Sequence, residues 1–311
     1  TGPGRNGGSG GGAGLYYGKT GGAASGALDD TALAHVVTGG TDLANKLFGI
    51  DSDLTTSIGA VASLKIRSRE YNSSESGELH VNGGKIGQVR PVALEKGTVV
   101  ELTDLFYATP ARLKFLRSDQ VETRAIIDVF KRLAIGNPDI ELSLSEINKS
   151  GERKIFDLSV EPDPICLVSR ISQILGSEFT DNSVDINKEQ QGYSIIGYSS
   201  LPTNSRGSAI HQYFYVNGRP VKDKQLTGAL RAAYFDFMNK ERFPACVLFI
   251  NCESSLVDIN VHPMKSEIRF KNPSDVRGLV INGIKEALAS RGLKSNTVLS
   301  RKILSSFSNS Y

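Results

Sequence analysis

The sequence predicts an α+β fold, with helices packed against mixed sheets. Three observations carry that expectation. Stretches such as Val257, Ile259 and Val261 alternate apolar and polar residues at the two-residue period of a half-buried strand. Others, such as Ile126, Val129, Phe130 and Leu133, repeat at helical spacing. The chain is 311 residues long, enough for two domains, and Glu161-Pro-Asp-Pro164 punctuates it with two prolines in a short polar run.

Taken in order, residues 1–26 hold 12 glycines and almost no apolar side chains, so they cannot offset the entropy of ordering. Residues 1–56 together read as a Gly-rich, atypical and poorly ordered segment. Order starts abruptly at Ser57, where residues 58–68 run as a helix end into a strand. Residues 79–81 and 86–89 flank Asn82-Gly83-Gly84 as a hairpin, and residues 99–102 continue the sheet. A helix over 119–135 has Asp119 and Glu122 at capping-box spacing and is stopped by Gly136-Asn-Pro138. Residues 140–147 alternate as a strand. The second domain, 163–290, starts with a helix over 165–175 closed by Gly176. Strands follow at 193–198, 213–216, 245–250 and 256–261. A helix over 222–238 turns Leu226, Leu230, Ala233, Tyr234 and Phe237 inward. A last helix starts at Asn272-Pro273 and runs to about residue 290, leaving 291–311 as a Ser-rich tail or linker.

Composition narrows the function. The net charge of +3, from 36 basic and 33 acidic side chains, gives no global polybasic field, so nucleic-acid binding would need a local patch. Cys166, Cys246 and Cys252 lie in apolar surroundings without Cys-x-x-Cys spacing, which fits reduced thiols and a cytoplasmic location. No apolar run reaches membrane-span length and no signal sequence opens the chain, so no membrane partner is expected. The four histidines are scattered, and no spacing links them to a metal.

Two stretches place cations on turns. In 256–270, Pro263 cannot donate to a strand ladder, so the turn falls near 262–265 and lifts Lys265 out of the sheet; a solvated loop lysine fits the same pattern. Arg219 follows an Asn217-Gly218 turn and projects from a hairpin end, with Lys222 and Lys224 just beyond. These three could pair with phosphates or form an ordinary solvated cluster. Arg112, Lys114 and Arg117 make another basic group. Ala13-Gly-Leu-Tyr-Tyr-Gly-Lys-Thr20 fits a relaxed phosphate-loop pattern, but no buried strand precedes it and Gly21-Gly22 opposes a following helix.

The segment from Leu256 to Phe270, together with Phe214-Tyr-Val-Asn-Gly-Arg-Pro-Val-Lys-Asp223 and the stretch from Gly97-Thr-Val-Val-Glu-Leu102 through Thr109-Pro-Ala-Arg112, resembles the N-terminal region of MutL-family DNA mismatch repair proteins. The three occur in family order, and the resemblance covers about residues 57–290. It implies that 57–162 form the later half of an ATPase domain of the gyrase and histidine-kinase type. It likewise implies that 163–290 form a transducer domain of the ribosomal-protein-like α+β fold.

The resemblance also implies a function: an ATP-controlled DNA clamp linking mismatch recognition by a MutS-type protein to strand incision, with ATP and magnesium as cofactors, double-stranded DNA as partner and a homodimer as assembly. Lys265 would touch the terminal phosphate, Gly97 and Thr98 would lie in the nucleotide site, and Arg219 would contact DNA, flanked by Lys222 and Lys224. Taken alone, Thr98 reads better as a residue of strand propensity. The family's magnesium-holding Asn, water-activating Glu and adenine-reading Asp-x-Gly-x-Gly loop have no counterpart in residues 1–56. The expectation is therefore a chain without catalytic residues, defective in ATP hydrolysis. Two other readings are a non-catalytic DNA-binding or interaction module and the product of a decayed gene.

Overall fold

A computed structural model of the chain describes residues 58–69, 74–148, 151–258 and 268–308. These divide into two compact units. One holds residues up to Phe130 together with Ile140–Val160; the other holds Lys131–Asp139 and the chain from Glu161 on.

In the first unit a helical turn at 58–61 leads into β1 (Ser63–Arg69), which lies between β2 (Ser76–Asn82) and β5 (Gly97–Thr103), antiparallel to both. Short strands β3 (Lys85–Ile86) and β4 (Arg90–Pro91) pair with β2. Along β1 the alternation is complete: Leu64, Ile66 and Ser68 are buried, while Lys65, Arg67 and Arg69 take the other face. Leu64 and Ile66 pack with Leu79 and Val81, and Ile58, Ile86, Val89 and Leu102 close around them. On the opposite face Arg67 donates to Glu101 at 2.9 Å. The expected hairpin forms through Gly83-Gly84, both in left-handed backbone, but its return strand is Lys85–Ile86 instead of 86–89.

A four-residue helix, α1 (Pro110–Leu113), precedes α2 (Asp119–Gly136). The capping box expected at Asp119 does not form. Asp119 is already the first helical residue, the Ser118 carbonyl accepts the amides of Val121 and Glu122, and the Glu122 carboxylate accepts the Arg117 amide at 3.1 Å. Val129 is exposed, so the buried stripe runs through Phe130, Ala134 and Ile135. Phe130 stacks on Phe156, centroids 5.4 Å apart. Phe156 belongs to β7 (Gly151–Leu158), paired with β6 (Leu142–Asn148) in a hairpin whose second strand escaped the sequence reading.

The second unit is built on a mixed sheet of order β11-β10-β12-β9-β8. Its strands are β8 (Ser183–Gln190), β9 (Tyr193–Ser200), β10 (Gln212–Val216), β11 (Arg219–Val221) and β12 (Cys246–Cys252). β10 runs parallel to β12, and the other pairings are antiparallel. Two short strands, β13 (Val257–Asp258) and β14 (Arg269–Phe270), pair beside it. Helices α5 (Lys224–Ala233) and α6 (Pro273–Ser308) bury Leu226, Leu230, Val276, Leu279 and Ile284 against Ile186, Ile195, Phe214 and Leu248. Each such side chain contributes about 1.5–3 kcal/mol of transfer free energy.

All five residues of β10 are buried, so both faces of this strand are covered. Beneath it, Tyr215 donates its hydroxyl to the Arg132 carbonyl at 2.8 Å, and the Arg132 guanidinium lies 5.0 Å over the Tyr213 ring. Arg170 on α3 (Cys166–Leu175) is 1% exposed and donates to the carbonyls of Ala134 and Pro138, satisfying groups at and beyond the C-terminal end of α2.

Several boundaries move. α4 (Ser177–Asp181) and β8 were not expected. α5 starts at Lys224 because the Asp223 carboxylate caps it, accepting the Leu226 amide at 2.8 Å, and Phe237 is half exposed beyond its end. α6 continues to Ser308 instead of ending near 290, as the chain carries no glycine after Gly292 and no proline after Pro273 to stop it. Of the strand expected at 256–261, Val257–Asp258 is described, and the loop bearing Lys265 lies outside the described residues.

Candidate functional site

Gly97 and Thr98 open β5 in the first unit. The antiparallel register sets Thr98 opposite Ser68 and Gly97 opposite Arg69. Thr98 is exposed, and its hydroxyl shares a 2.8 Å hydrogen bond with the Ser68 hydroxyl, while Ser68 itself is 8% exposed. A hydroxyl pair keeps spare lone pairs and one free donor, so Thr98 can still meet an oxyanion. Gly97 has φ +119, and a Cβ there would meet nothing within 4 Å. Backbone conformation, not crowding, selects this glycine. Asp104 and Phe106 further on also take positive φ, 53° and 67°. A phenylalanine held there stores strain in the loop after β5.

Arg219, Lys222 and Lys224 lie together in the second unit. Asn217 and Gly218 form the turn between β10 and β11, with φ of 49° and 79°. The turn is fastened to β12 twice: the Asn217 amide donates to the Ile250 carbonyl at 2.9 Å, and the Asn217 side chain accepts the Cys252 amide at 2.9 Å. Arg219 therefore starts an edge strand from a fixed base and is exposed to solvent. Val221 anchors the strand in the core, and exposed Lys222 and Lys224 flank Asp223, whose carboxylate is committed to capping α5. The result is a short cationic edge on a rigid hairpin, suited to phosphate contacts without base reading. Asn217 was expected only as a turn residue. Its second role depends on β12, 35 residues away, and leaves no local signal.

Among the described residues no group of three His, Cys, Asp or Glu side chains could hold a metal ion. The nucleotide residues expected from the sequence reduce here to one hydroxyl and one glycine, with Lys265 outside the described residues. Cys166, Cys246 and Cys252 are free thiols; burial pushes all three upward in pKa, Cys246 most strongly. They are not poised as nucleophiles. Among the described residues no helix is long and apolar enough to cross a membrane.

The family model for the C-terminal domain of DNA mismatch repair proteins matches residues 171–289, all in the second unit. The chain is 42% identical over 263 residues to the DNA mismatch repair protein MutL of Brucella anthropi, covering 84% of this chain and 41% of that protein. It is also 42% identical over 260 residues to the MutL of Bartonella tribocorum, covering 83% and 42%. The chain spans about two fifths of the length of these curated relatives. The aligned stretch is longer than 57–290, so likeness continues beyond that span at one end or both. Among solved structures, the crystal structure of the N-terminal domain of a DNA repair protein superposes with a TM-score of 0.68 at 23% identity, covering 79% of this chain and 77% of that one. The Aquifex aeolicus MutL ATPase domain complexed with ADP does so with a TM-score of 0.53 at 24% identity, covering 81% and 80%. Those two likenesses speak for the fold.

Proposed function

The chain belongs to the MutL family of DNA mismatch repair proteins, and from that premise we propose that it supplies a DNA-contacting element of the family's ATP-controlled clamp while being defective in ATP hydrolysis. The observation that carries this reading is the doubly fastened Asn217-Gly218 turn, which presents Arg219 beside Lys222 and Lys224. These cations hold the phosphates of double-stranded DNA, and the contact is independent of sequence and weakened by salt. The reading's partners are a MutS-type recognition protein and a second copy of the chain.

Nucleotide contacts in this reading come from Thr98, Gly97 and Lys265, with Lys265 pairing with a terminal phosphate. Hydrolysis and the nucleotide switch are left out of this reading, because residues 1–56 show no counterpart of the family's water-activating Glu or magnesium-holding Asn, so nucleotide held at these residues does not govern DNA contact. A second reading, a non-catalytic DNA-binding module, is favoured by the cationic edge lying wholly within the unit that carries the family-model match.

Fluorescence anisotropy of a labelled duplex, measured across salt concentrations, tests the proposal. Binding with a steep salt slope that Arg219→Ala makes shallower is expected. Absence of binding by a folded chain at low salt would remove the DNA-contact claim.

A further inference from the structure

The Asn217-Gly218 turn is fastened to β12 through Asn217, and it also meets the end of α2. Gly136, the last residue of α2, is the point of approach. A Cβ there would lie 3.1 Å from Cε1 of the Tyr215 ring and 3.9 Å from the Gly218 carbonyl oxygen. That carbonyl belongs to the peptide that opens Arg219. Gly136 is not in left-handed backbone, and helix propensity alone would favour alanine there. Close packing accounts for this glycine. Neither neighbour can step aside freely. Tyr215 is fully buried, stacks on Phe249 with centroids 4.5 Å apart, and ties its hydroxyl to the Arg132 carbonyl of α2 at 2.8 Å. The helix end is held in turn by Arg170, which donates to the Ala134 and Pro138 carbonyls, and by the Asn137 side chain, which donates to the Leu133 carbonyl at 2.8 Å. Val216, opposite Arg219 in the hairpin, lies in the core with α5 and α6, while Tyr215 faces Arg132. The end of α2 thus backs the hairpin on the face opposite to that of Arg219.

We propose that the last turn of α2 aims Arg219 at phosphate, with Gly136 and Tyr215 as positioning residues whose contact sets where the Gly218–Arg219 peptide lies. The function in this inference rests on the DNA reading of the Arg219 edge; its geometry rests on the packing alone. A side chain at 136 forces its neighbours to give by a few tenths of an ångström. With the ring held by Phe249 and by its hydroxyl, and the helix by Arg170, the shift passes into β10 and the Gly218 carbonyl. A bond between guanidinium and phosphate depends on both distance and direction, so a displaced turn weakens it although no charge is removed.

The test pairs two readouts on the full chain: ¹H–¹⁵N NMR of the Gly218 and Arg219 amides without DNA, and affinity for a labelled duplex across salt concentrations. Gly136→Ala should move both amide signals and weaken duplex binding severalfold, with the slope of log K against log salt reduced towards that of Arg219→Ala. In an Arg219→Ala background, Gly136→Ala should have no further effect on affinity, a coupling that a merely structural role does not produce. Tyr215→Phe keeps the ring and drops the bond to Arg132, so it should act in the same direction more weakly; it carries the test if Gly136→Ala fails to fold. Gly278→Ala, on α6 with nothing within 4 Å of the added Cβ, is the control and should change neither readout. Moved amides in a chain that binds no duplex would refute the DNA reading and leave the positioning contact standing. Unmoved amides in both variants overturn the proposal. So does affinity left unchanged where Arg219→Ala lowers it, or an equal loss with and without Arg219.

Discussion

Gly97 in the first unit and Gly197 in the second both sit in left-handed backbone, with φ of 119° and 138°. A Cβ on Gly97 would meet nothing within 4 Å, whereas one on Gly197 would lie 2.1 Å from the Val247 carbonyl oxygen of the neighbouring strand. The same contrast runs through the two units. β10 buries every residue, with α5 and α6 packed on one face of its sheet and the segment around Arg132 covering β10 on the other. In the first unit Val100 is 48% exposed on the apolar face of β5, and Leu113 and Phe115 stand out at 48% and 83%. Contact constrains residues of the second unit. In the first, backbone shape and solvent constrain much of the stretch from β5 through α1, which is where Gly97 and Thr98, two of the residues proposed to contact nucleotide, fall.

Paired substitutions in the two units probe this contrast. The largest effect is expected from Gly197→Ala, which drives backbone into backbone and should cost more than about 3 kcal/mol in urea denaturation. Gly97→Ala carries only the conformational penalty, about 1 kcal/mol. Next, Leu248→Ala removes a fully buried side chain and should cost about 2–4 kcal/mol, while Val100→Ala should cost under about 1 kcal/mol. Equal costs within either pair would erase the distinction. For function, Arg219→Ala should lower the slope of log K against log salt by about 1 and leave folding unchanged. The smallest effect concerns His211. Its folded pKa is below the ordinary 6.5, so the unfolded chain binds the proton that the folded chain refuses. Stability contributed by neutral His211 is therefore full above about pH 6.5 and falls as pH drops towards the lower folded value. A pH series on His211→Gln should lack that component.

Much of the second unit was legible because its strands carry unbroken signals. Tyr213-Phe-Tyr-Val216 reads as a buried strand, Asn217-Gly218 as its turn, and the spacing of Leu226, Leu230 and Ala233 as a helix face. β8 was not legible: only Val184 and Ile186 point inward before the strand turns polar at the sheet edge. β7 is similar, with four exposed residues before Ile155. The cationic edge was legible because a local turn sets it. The Ser68–Thr98 pair and the fastening of Asn217 to β12 were not, since both arise from strand register across 30 or more residues.

DNA contact is proposed to reside in the Arg219 hairpin and not to be governed by nucleotide in this chain. Its most direct test is duplex affinity measured with and without magnesium and a non-hydrolysable ATP analogue, using Lys265→Ala as control. One affinity is expected in all conditions, reduced only by Arg219→Ala. Tightening by the nucleotide that Lys265→Ala abolishes would contradict it and show that a working nucleotide switch persists.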